Sequence, residues 1–267
     1  MPPHEKQLAE YAAYLFDVDG TLTYPDRAIP GAADVIVALK ARGKHVLAVT
    51  NNSSLGRHAI AERFRRYGLP LDDADVFSAV HATAQFVARE CPGARVHVFG
   101  NPGLRDEIAR TGLSVTDEID VDYVVVGNNA SVTYDRLTRA MRALLRGARF
   151  VAVNADRMYV GRDGDVIPGV GMFVAAFERA IGRPPDVVVG KPSVRILHDA
   201  AESVGCSPSE CLYVGDNCEA DVGGAHAAGM HALLVLTGVA KSEADCPEPP
   251  EHTLPSVADL VRWIADD

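Results

Sequence analysis

The chain has 267 residues, with 26 Lys or Arg and 36 Asp or Glu, so its formal net charge is -10. This charge and the lack of any Lys/Arg run argue against a nucleic-acid partner, and no apolar run approaches the roughly 18 residues of a membrane span. We expect a cytoplasmic protein of two domains, or of one domain with a large insertion, in which an anionic substrate needs a local positive site.

The first part of the chain alternates short apolar runs with helical patterns, which favours βαβ units and a parallel sheet. The apolar run at 14–16 predicts the first strand, and the spacing over 32–39 predicts a helix that Gly43 ends. HVLAVT at 45–50 predicts the second strand, and the apolar positions over 60–67 predict the helix that follows it.

The middle and the end of the chain repeat this alternation. The middle shows strand patterns at RVHVFG, DYVVVG and RFVAV and helical patterns at TYDRLTRAMRALLRG and GMFVAAFERAIG. After it, the strand patterns DVVVG, CLYVG and ALLVL alternate with helical patterns. We predict an α/β fold in which 1–78 and 187–267 form a discontinuous core and 79–186 form an inserted α/β domain.

The cysteines give a further expectation. They are Cys91, Cys206, Cys211, Cys218 and Cys246. Their number is odd and they lack Cys-x-x-Cys spacing, so we expect free, reduced thiols rather than disulfides or a zinc site.

Polar residues follow four of the predicted strands. They are Asp17 and Asp19 after YLF, Thr50, Asn51 and Asn52 after VLAV, Gly190 and Lys191 after VVV, and Gly215 and Asp216 after CLYV. In an open α/β sheet, ligands bind beyond the carboxyl ends of the strands. One site can therefore collect residues that lie far apart in the sequence.

The first of these sets contains two close carboxylates. Asp17 and Asp19 are two positions apart, so along an extended strand both can project to one side while Val18 packs away. Such a pair repels strongly unless a cation lies between the carboxylates or one keeps a proton. Mg²⁺ fits, because it prefers hard oxygen ligands. Asp216 can complete the carboxylate set, and Asp221 can orient a metal-bound water.

The remaining sets suit a phosphate group. Thr50 offers a hydroxyl, the Asn51–Asn52 peptide units and the next helix offer N–H donors, and Lys191 offers a positive charge. Together with a metal and a spare carboxylate, this cradle predicts phosphoryl transfer. Asp17 attacks phosphorus to form an aspartyl-phosphate and Asp19 handles protons, while Mg²⁺ and Lys191 neutralise charge on the transferring oxygens.

These residues resemble the four ordered motifs of haloacid dehalogenase-like (HAD) phosphatases. The motifs read Asp17-Val18-Asp19-Gly20-Thr21, Thr50-Asn51-Asn52, Gly190-Lys191-Pro192-Ser193, and Gly215-Asp216 with Asp221. An insertion of about one small α/β domain between the second and third motifs is similar to subclass IIA, the group of NagD, pyridoxal phosphatase, phosphoglycolate phosphatase and p-nitrophenylphosphatase. GKPS, VGDNCEADVGGAHAAGM and VLTGV also match that subclass, so the resemblance spans almost the entire chain.

The resemblance implies a Rossmann-like core, with a parallel sheet and helices on both faces, and a cap domain that closes over it. It implies a Mg²⁺-dependent phosphatase of a small phosphorylated metabolite, with Asp17 as nucleophile and Asp19 as general acid/base. The metal ligands would be Asp17, Asp216 and the backbone carbonyl of Asp19. Phosphate would be held by Thr50, Asn51 and Lys191. The cap would choose the substrate.

The chain departs from the subclass at two places. Subclass members commonly carry an aspartate after the strand that corresponds to DYVVVG, where this chain has Asn128-Asn129. Many have threonine before the last acidic residue, where this chain has Ala220. Neither position touches the expected nucleophile, but the first weakens a substrate assignment made through the cap.

The inserted domain offers its own candidate residues. Asn154, Asp156 and Tyr159 lie after RFVAV and before a turn predicted at Arg162-Asp163-Gly164. They either contact the substrate or belong to a solvated loop.

Two other functions stay open at this point. The same core suits phosphotransfer to a sugar or alcohol, as in phosphomutases. A phospho-acceptor or metabolite-binding module without enzyme activity is the other, although a stable phospho-switch has no need for the second carboxylate, Asp19. A homodimer and a monomer are both compatible with the sequence.

Overall fold

The computed structural model describes residues 8–161 and 165–265. In these ranges the strands are β1 Ala13–Phe16, β2 His45–Thr50, β3 Val76–Ser78, β4 Arg95–Phe99, β5 Ser114–Thr116, β6 Tyr123–Val126, β7 Arg149–Ala152, β8 Met158–Val160, β9 Val166–Pro168, β10 Val187–Val188, β11 Cys211–Gly215, β12 His231–Val235 and β13 His252–Leu254. The helices are α1 Ala32–Ala41, α2 Arg57–Arg66, α3 Ala79–Glu90, α4 Pro102–Arg110, α5 Tyr134–Leu145, α6 Val170–Ile181, α7 Val194–Ser203, α8 Gly224–Ala227 and α9 Leu260–Ala265.

These elements fall into two compact units. Within the described residues, the first unit comprises the chain up to Thr50, Ile60–Phe77 and the chain from Lys191 onward. The second comprises Asn51–Ala59 and Ser78–Gly190. The domain ranges expected from the sequence, 1–78 with 187–267 and 79–186, remain a prediction.

The sheet of the first unit has β1 near its centre. Among the described strands its order is β13-β12-β11-β1-β2-β3, and β1 pairs in parallel with both β11 and β2. The last residue of β1, Phe16, lies opposite Val214 of β11 and Ala48 of β2. Because parallel neighbours end at the same edge, the residues that follow these three strands emerge together.

The sheet of the second unit is parallel throughout the strands described. Its order is β10-β7-β6-β4-β5, and β8 and β9 form a separate antiparallel hairpin. Its apolar core includes Phe99, Phe150, Phe173 and Phe177, whose rings meet edge to face. All members of this core lie within Ser78–Gly190, so the second unit has an apolar core of its own.

One strand lies in a different sheet from the one expected. The run DVVVG was predicted with the core strands, but Val187 and Val188 pair with Val151 and Ala152 of β7 in the second unit. A continuous apolar run carries no periodicity that would identify its sheet. The chain passes into the first unit three residues later, at Lys191.

The α/β class with parallel sheets and helices on both faces is confirmed. The turn predicted at Arg162-Asp163-Gly164 lies outside the described residues. Across 8–161 and 165–265, every helix is too short or too polar to cross a membrane.

The expectation of free thiols is wrong for two cysteines. Cys218 and Cys246 form a disulfide with an S–S distance of 2.01 Å. Cys91, Cys206 and Cys211 are free. The paired cysteines are separated by 28 positions. Spacing in the sequence could not reveal this pair, since the fold brings the segment after β12 back to the segment after β11.

Candidate active site

The end of β1 carries Asp17 into a buried position. All four residues of β1 are buried, and the backbone N–H of Asp17 donates to the Val214 carbonyl at 2.8 Å. Asp17 itself is only 8% exposed. An apolar strand flanked on both sides by parallel neighbours thus fixes this carboxylate in the interior.

Lys191 lies at the centre of the buried polar residues. Its Nζ donates to Oδ1 of Asp17 at 2.5 Å, to Oδ1 of Asp221 at 2.6 Å and to the hydroxyl of Tyr213 at 2.8 Å. Lys191 is 3% exposed. An ammonium group can stand such burial because carboxylates and hydrogen bonds replace its water.

The buried groups perturb one another's protonation. Burial raises the pKa of Asp17, and the charges of Asp221 and Asp216 raise it further against the opposing effect of Lys191. Burial alone would lower the pKa of Lys191, but the charges of Asp17 and Asp221 raise it well above its usual range. Lys191 is therefore held in its charged form, and the raised pKa of Asp17 shows that one ammonium group does not fully offset the burial of three neighbouring carboxyl groups.

The carboxylate of Asp216 is held by one backbone and one side-chain donor. Its Oδ2 accepts from the N–H of Val239 at 2.6 Å, and Thr21 Oγ1 donates to its Oδ1 at 3.4 Å. A Cβ at Gly20 or at Gly238 would lie 2.6 Å and 1.8 Å, respectively, from Oδ2, so both positions require glycine. Burial and the charge of Asp221 raise the pKa of Asp216 to about 6.

Asp221 lies in a helical turn and binds the backbone of the loop that carries Asp216. Its Oδ2 accepts from the backbone N–H groups of Asp216 at 3.1 Å and Asn217 at 3.0 Å. It belongs to a π-helical turn, Cys218–Gly223, where the sequence predicted an ordinary helix. Its other oxygen accepts from Lys191, so Asp221 joins the Asp216 loop to Lys191.

The donor set fits a divalent cation. Asp17, Asp216 and Asp221 are buried, and each offers a carboxylate oxygen within 4.8 Å of the others. Hard oxygen donors such as carboxylates are what Mg²⁺ prefers. The structure therefore contains a buried acidic cluster suited to such an ion.

Asp19 and Thr50 complete the candidate residues of the first unit. Thr50 is the last residue of β2 and is buried. The Asp19 side chain is 56% exposed and lies outside the acidic cluster. Both aspartates follow the end of β1 at Phe16, so the alternation expected along an extended strand does not apply to them.

The other candidate residues meet in the second unit. Asn51 Nδ2 donates to both oxygens of Asp156 at 3.1 Å, and Asn154 Nδ2 donates to the Asn51 carbonyl at 2.6 Å. Asn52 Oδ1 accepts from the N–H groups of Ser54 and Leu55, which forms an Asx turn. Asn51, Asn154 and Asp156 are thus one hydrogen-bonded group.

Sequence reasoning missed two partners of these residues. Tyr213 is fully buried on β11, and its hydroxyl meets Lys191. Its signal was a tyrosine in a strand that is otherwise apolar, because a buried tyrosine hydroxyl needs a partner. The N–H of Val239 had no signal, since a backbone donor in a loop does not depend on the residue type.

Comparison with known proteins adds to this geometry. A model described as haloacid dehalogenase-like hydrolase matches residues 14–114, and one described as HAD-hydrolase-like matches 188–260. The 5'-nucleotidase YutF of Bacillus subtilis is 36% identical over 256 residues, 95% of this chain and 99% of that protein. The sugar-phosphatase AraL of the same organism is 31% identical over 252 residues, 94% and 92% of the two chains.

A solved structure agrees with these relatives. The p-nitrophenyl phosphatase from Archaeoglobus fulgidus superposes with a TM-score of 0.90 at 37% identity, covering 95% of this chain and 99% of that one. The resemblance drawn from the four motifs and the expected class of enzyme are therefore confirmed. The chain belongs to the haloacid dehalogenase-like hydrolases, as a phosphatase of subclass IIA.

Proposed function

We propose that this phosphatase is Mg²⁺-dependent and hydrolyses a small phosphomonoester through an aspartyl-phosphate at Asp17. The observation that carries the proposal is the cluster of Asp17, Asp216 and Asp221 around Lys191. A buried carboxylate beside a buried ammonium group and further metal-type ligands is what phosphoryl transfer requires of its nucleophile.

Asp17 has one oxygen engaged and one available. Its Oδ1 accepts from Lys191, and no residue in the described ranges donates to its Oδ2. In the first step an Asp17 oxygen bonds to phosphorus while the bond from phosphorus to the leaving oxygen breaks. Lys191 stays charged and offsets the negative charge on the transferring oxygens.

Asp19 moves the protons in this proposal. It gives a proton to the leaving oxygen as the first bond breaks. In the second step it takes a proton from the water that attacks phosphorus. Inorganic phosphate leaves and the carboxylate of Asp17 is restored. An exposed side chain suits this part, because it must reach both an alcohol and a water.

Mg²⁺ would be held by Asp17, Asp216 and the backbone carbonyl of Asp19, with Asp221 supporting the loop of Asp216. When bound, it supplies positive charge to the phosphoryl oxygens and to the crowded carboxylates. The three buried carboxyl groups, whose oxygens lie within 4.8 Å of one another, support this assignment.

Phosphate would be bound by Thr50, by the Asn51–Asn52 segment and by Lys191. The side-chain oxygen of Asn52 accepts two hydrogen bonds in a turn, and the donor proposed for phosphate is the backbone N–H of this segment. Asn154 and Asp156 hold Asn51 and would act on the substrate through it. We propose that the second unit, as a cap domain, selects the substrate.

The substrate class is a small phosphorylated metabolite. Relatives bear the names 5'-nucleotidase and sugar phosphatase, so nucleoside monophosphates and sugar phosphates are the first compounds to compare. Transfer of the phosphoryl group to an acceptor alcohol is the competing reaction. If inorganic phosphate is the sole product that contains phosphorus, the reaction is hydrolysis. If a phosphate ester of the acceptor forms, the reaction is transfer.

The decisive experiment combines two variants with metal removal. Asp17→Asn should abolish turnover and retain the unfolding transition of the parent protein, and chelation of Mg²⁺ should abolish turnover reversibly. Asp19→Asn should slow turnover, and trapped phosphoprotein in that variant supports the two-step route. Substantial hydrolysis by Asp17→Asn, or full activity in excess chelator, contradicts the proposal.

We also propose the cytoplasm as the place of action. Disulfides are rare there, so the Cys218–Cys246 pair makes the proposal testable. Rapid alkylation of thiols in intact cells, followed by mass spectrometry, should find this pair at least partly reduced. Complete oxidation in the cell favours an oxidising compartment.

A further inference from the structure

Arg63 is a largely buried cation, and two of its three nitrogen atoms lack a hydrogen-bond partner among the described residues. It lies on α2, one residue before the buried Phe64, and its side chain is only 14% exposed. Its Nε and Nη2 atoms are buried and lack a hydrogen-bond partner among the described residues. Burial of guanidinium nitrogens without hydrogen bonds is unfavourable, because they lose their contacts with water and gain no partner. The position therefore calls for a reason other than stability.

The ionic partner of Arg63 is Asp19. Nη2 of Arg63 lies 3.4 Å from Oδ1 of Asp19. Thr23 Oγ1 donates to the same Oδ1, also at 3.4 Å. Among the described residues no group contacts Oδ2 of Asp19 in this way. Both contacts therefore hold one oxygen of the carboxylate and leave the other open.

The backbone around Asp19 is already fixed by its own loop. The Thr23 N–H donates to the Val18 carbonyl at 2.8 Å, and the Gly20 N–H donates to the Thr23 carbonyl at 2.8 Å. Gly20 takes a φ of 100°, which other residues rarely adopt. What the loop leaves free is the rotation of the exposed Asp19 side chain. Arg63 is the cation that reaches this side chain from a separate helix.

We propose that Arg63 is a positioning residue for Asp19. It selects the side-chain conformer in which Oδ1 faces α2 and Oδ2 carries the proton in catalysis. The inference rests on the proposed function, in which Asp19 protonates the leaving oxygen. Without Arg63 the exposed carboxylate samples several rotamers, and only a fraction of them presents the proton to the leaving group.

The chemistry of the leaving group separates this role from a structural one. An alkyl phosphate releases a strongly basic alkoxide and needs a proton from Asp19 as the bond breaks. p-Nitrophenyl phosphate releases a weakly basic phenolate and needs little protonation. The ratio kcat/KM reports steps only up to the release of the leaving group. It therefore reports the proton transfer from Asp19 to the leaving oxygen and not the later proton transfer from water to Asp19.

The test is the effect of Arg63→Met on kcat/KM for an alkyl phosphate and for p-nitrophenyl phosphate. We expect a loss of about 10- to 100-fold on the alkyl ester, part of the effect of a general acid, and less than about threefold on the aryl ester. Arg63→Lys keeps a cation and should recover part of the loss. Arg65→Met is the matched control, because Arg65 lies on the same helix with a side chain 47% exposed, and both esters should react as with the parent enzyme.

The double variant Asp19→Asn/Arg63→Met gives an independent readout. If Arg63 acts through Asp19, the double variant is no slower on the alkyl ester than Asp19→Asn alone. Equal losses on the two esters, or losses that multiply in the double variant, overturn the inference. If Arg63→Met fails to unfold cooperatively, the same comparison of esters with Arg63→Lys decides.

Failure of the inference and failure of the proposed function look different. Full activity of Asp19→Asn on the alkyl ester removes the proposed function itself. An impaired Asp19→Asn beside an unimpaired Arg63→Met leaves that function standing and removes only the role of Arg63.

Discussion

At the scale of single residues, Lys191 is the side chain that joins the buried groups of the candidate site. One buried ammonium group serves Asp17, Asp221 and Tyr213 at once. The two carboxylates are buried together with it, so neither has bulk water as a substitute partner. Loss of Lys191 would leave two buried acids facing each other without compensation.

Lys191→Met should therefore destabilise the protein strongly and abolish turnover. We expect the free energy of unfolding to fall by about 3 to 5 kcal/mol, the cost of removing one partner from a buried ion pair. Urea denaturation measured at neutral pH gives this value.

Lys40→Met is the control for this change. Lys40 pairs with Asp75 at 2.6 Å at the protein surface, so its loss should cost no more than about 1 kcal/mol. Equal losses for the two variants would contradict the view that Lys191 holds the site together.

The sequence identified most residues of the first unit's site because each lies at or just beyond the carboxyl end of a strand. Asp17, Thr50, Lys191 and Asp216 could be named from strand order and motif spacing alone. Arg63 could not, because it lies between apolar positions of a helix whose other basic residues are mostly exposed. The role inferred for Arg63 depends on its contact with Asp19, which only the folded structure shows.

At the scale of elements, the segment after β12 is fastened to the segment after β11. The N–H groups of Val239 and Ala240 donate to Asp216, at 2.6 Å and 2.9 Å. The disulfide from Cys246 to Cys218 joins the same two segments covalently. Backbone hydrogen bonds and a covalent bond thus hold the loop that carries Asp216.

Thiol titration should detect this disulfide directly. We expect three reactive thiols in the denatured protein without reductant and five after reduction, because three of the five cysteines are free. Closing a loop of 28 positions should contribute about 3 to 4 kcal/mol in the chain-entropy account, so Cys246→Ser should lower the free energy of unfolding by that amount.

Cys91→Ser is the matched control, since Cys91 is free and only partly buried. It should leave the free energy of unfolding nearly unchanged. Five reactive thiols before reduction would show that the disulfide is absent.

A second element-scale prediction concerns α3 and α4 of the second unit. His81 on α3 lies 3.0 Å from Glu107 on α4, and Arg110 lies 3.2 Å from the other oxygen of Glu107. Burial alone would raise the pKa of Glu107. The hydrogen bond from His81 and the charges of His81, Arg57 and Arg110 outweigh burial and lower that pKa below its ordinary value of 4.5.

A carboxyl group whose pKa is lowered by folding stabilises the fold at pH values above its pKa in the unfolded chain. This contribution is lost as the pH falls through its pKa in the folded protein. Glu107→Gln should therefore lower the free energy of unfolding at neutral pH and weaken its fall below pH 4.5. Urea denaturation across this pH range tests the expectation. Glu118→Gln removes an exposed partner of Arg95 and should leave the pH profile as it was.

The sequence predicted that the main strands exist, but it predicted less well which sheet each strand joins. The runs HVLAVT and CLYVG became β2 and β11 with the expected bounds, because buried apolar runs end at polar residues. The run DVVVG became a strand of the other sheet. Apolar content specifies burial, but strand partners depend on contacts between distant parts of the chain.

At the scale of the whole molecule, the two units differ in how the chain builds them. The strands β4 to β7 and β10 of the second sheet all come from the continuous stretch Ser78–Gly190. The first sheet draws β1 and β11, its central neighbours, from opposite ends of the chain. The motif spacing predicted a parallel α/β fold with an inserted domain. It did not predict that 51–59 belongs to the second unit.

A fragment of residues 78–190 should therefore fold by itself. It contains the complete second sheet and the core around Phe99 and Phe150. Circular dichroism and urea denaturation should show helical and strand content lost in one cooperative transition.

Residues 8–77 provide the comparison, because they contain β1 without its neighbour β11. This fragment should lack a cooperative transition. An uncooperative 78–190 fragment would show that the insertion depends on the rest of the chain.

The division of the chain has a consequence for recombination between relatives. The chain passes from one unit to the other at four peptide bonds, and two of them adjoin Thr50 and Lys191. A chimaera that exchanges 78–190 alone would separate that stretch from 51–59, whose Asn51 is bonded to Asn154 and Asp156. An exchange that keeps these hydrogen bonds has to move both stretches together. If the second unit selects the substrate, as proposed, substrate preference should follow that pair of stretches.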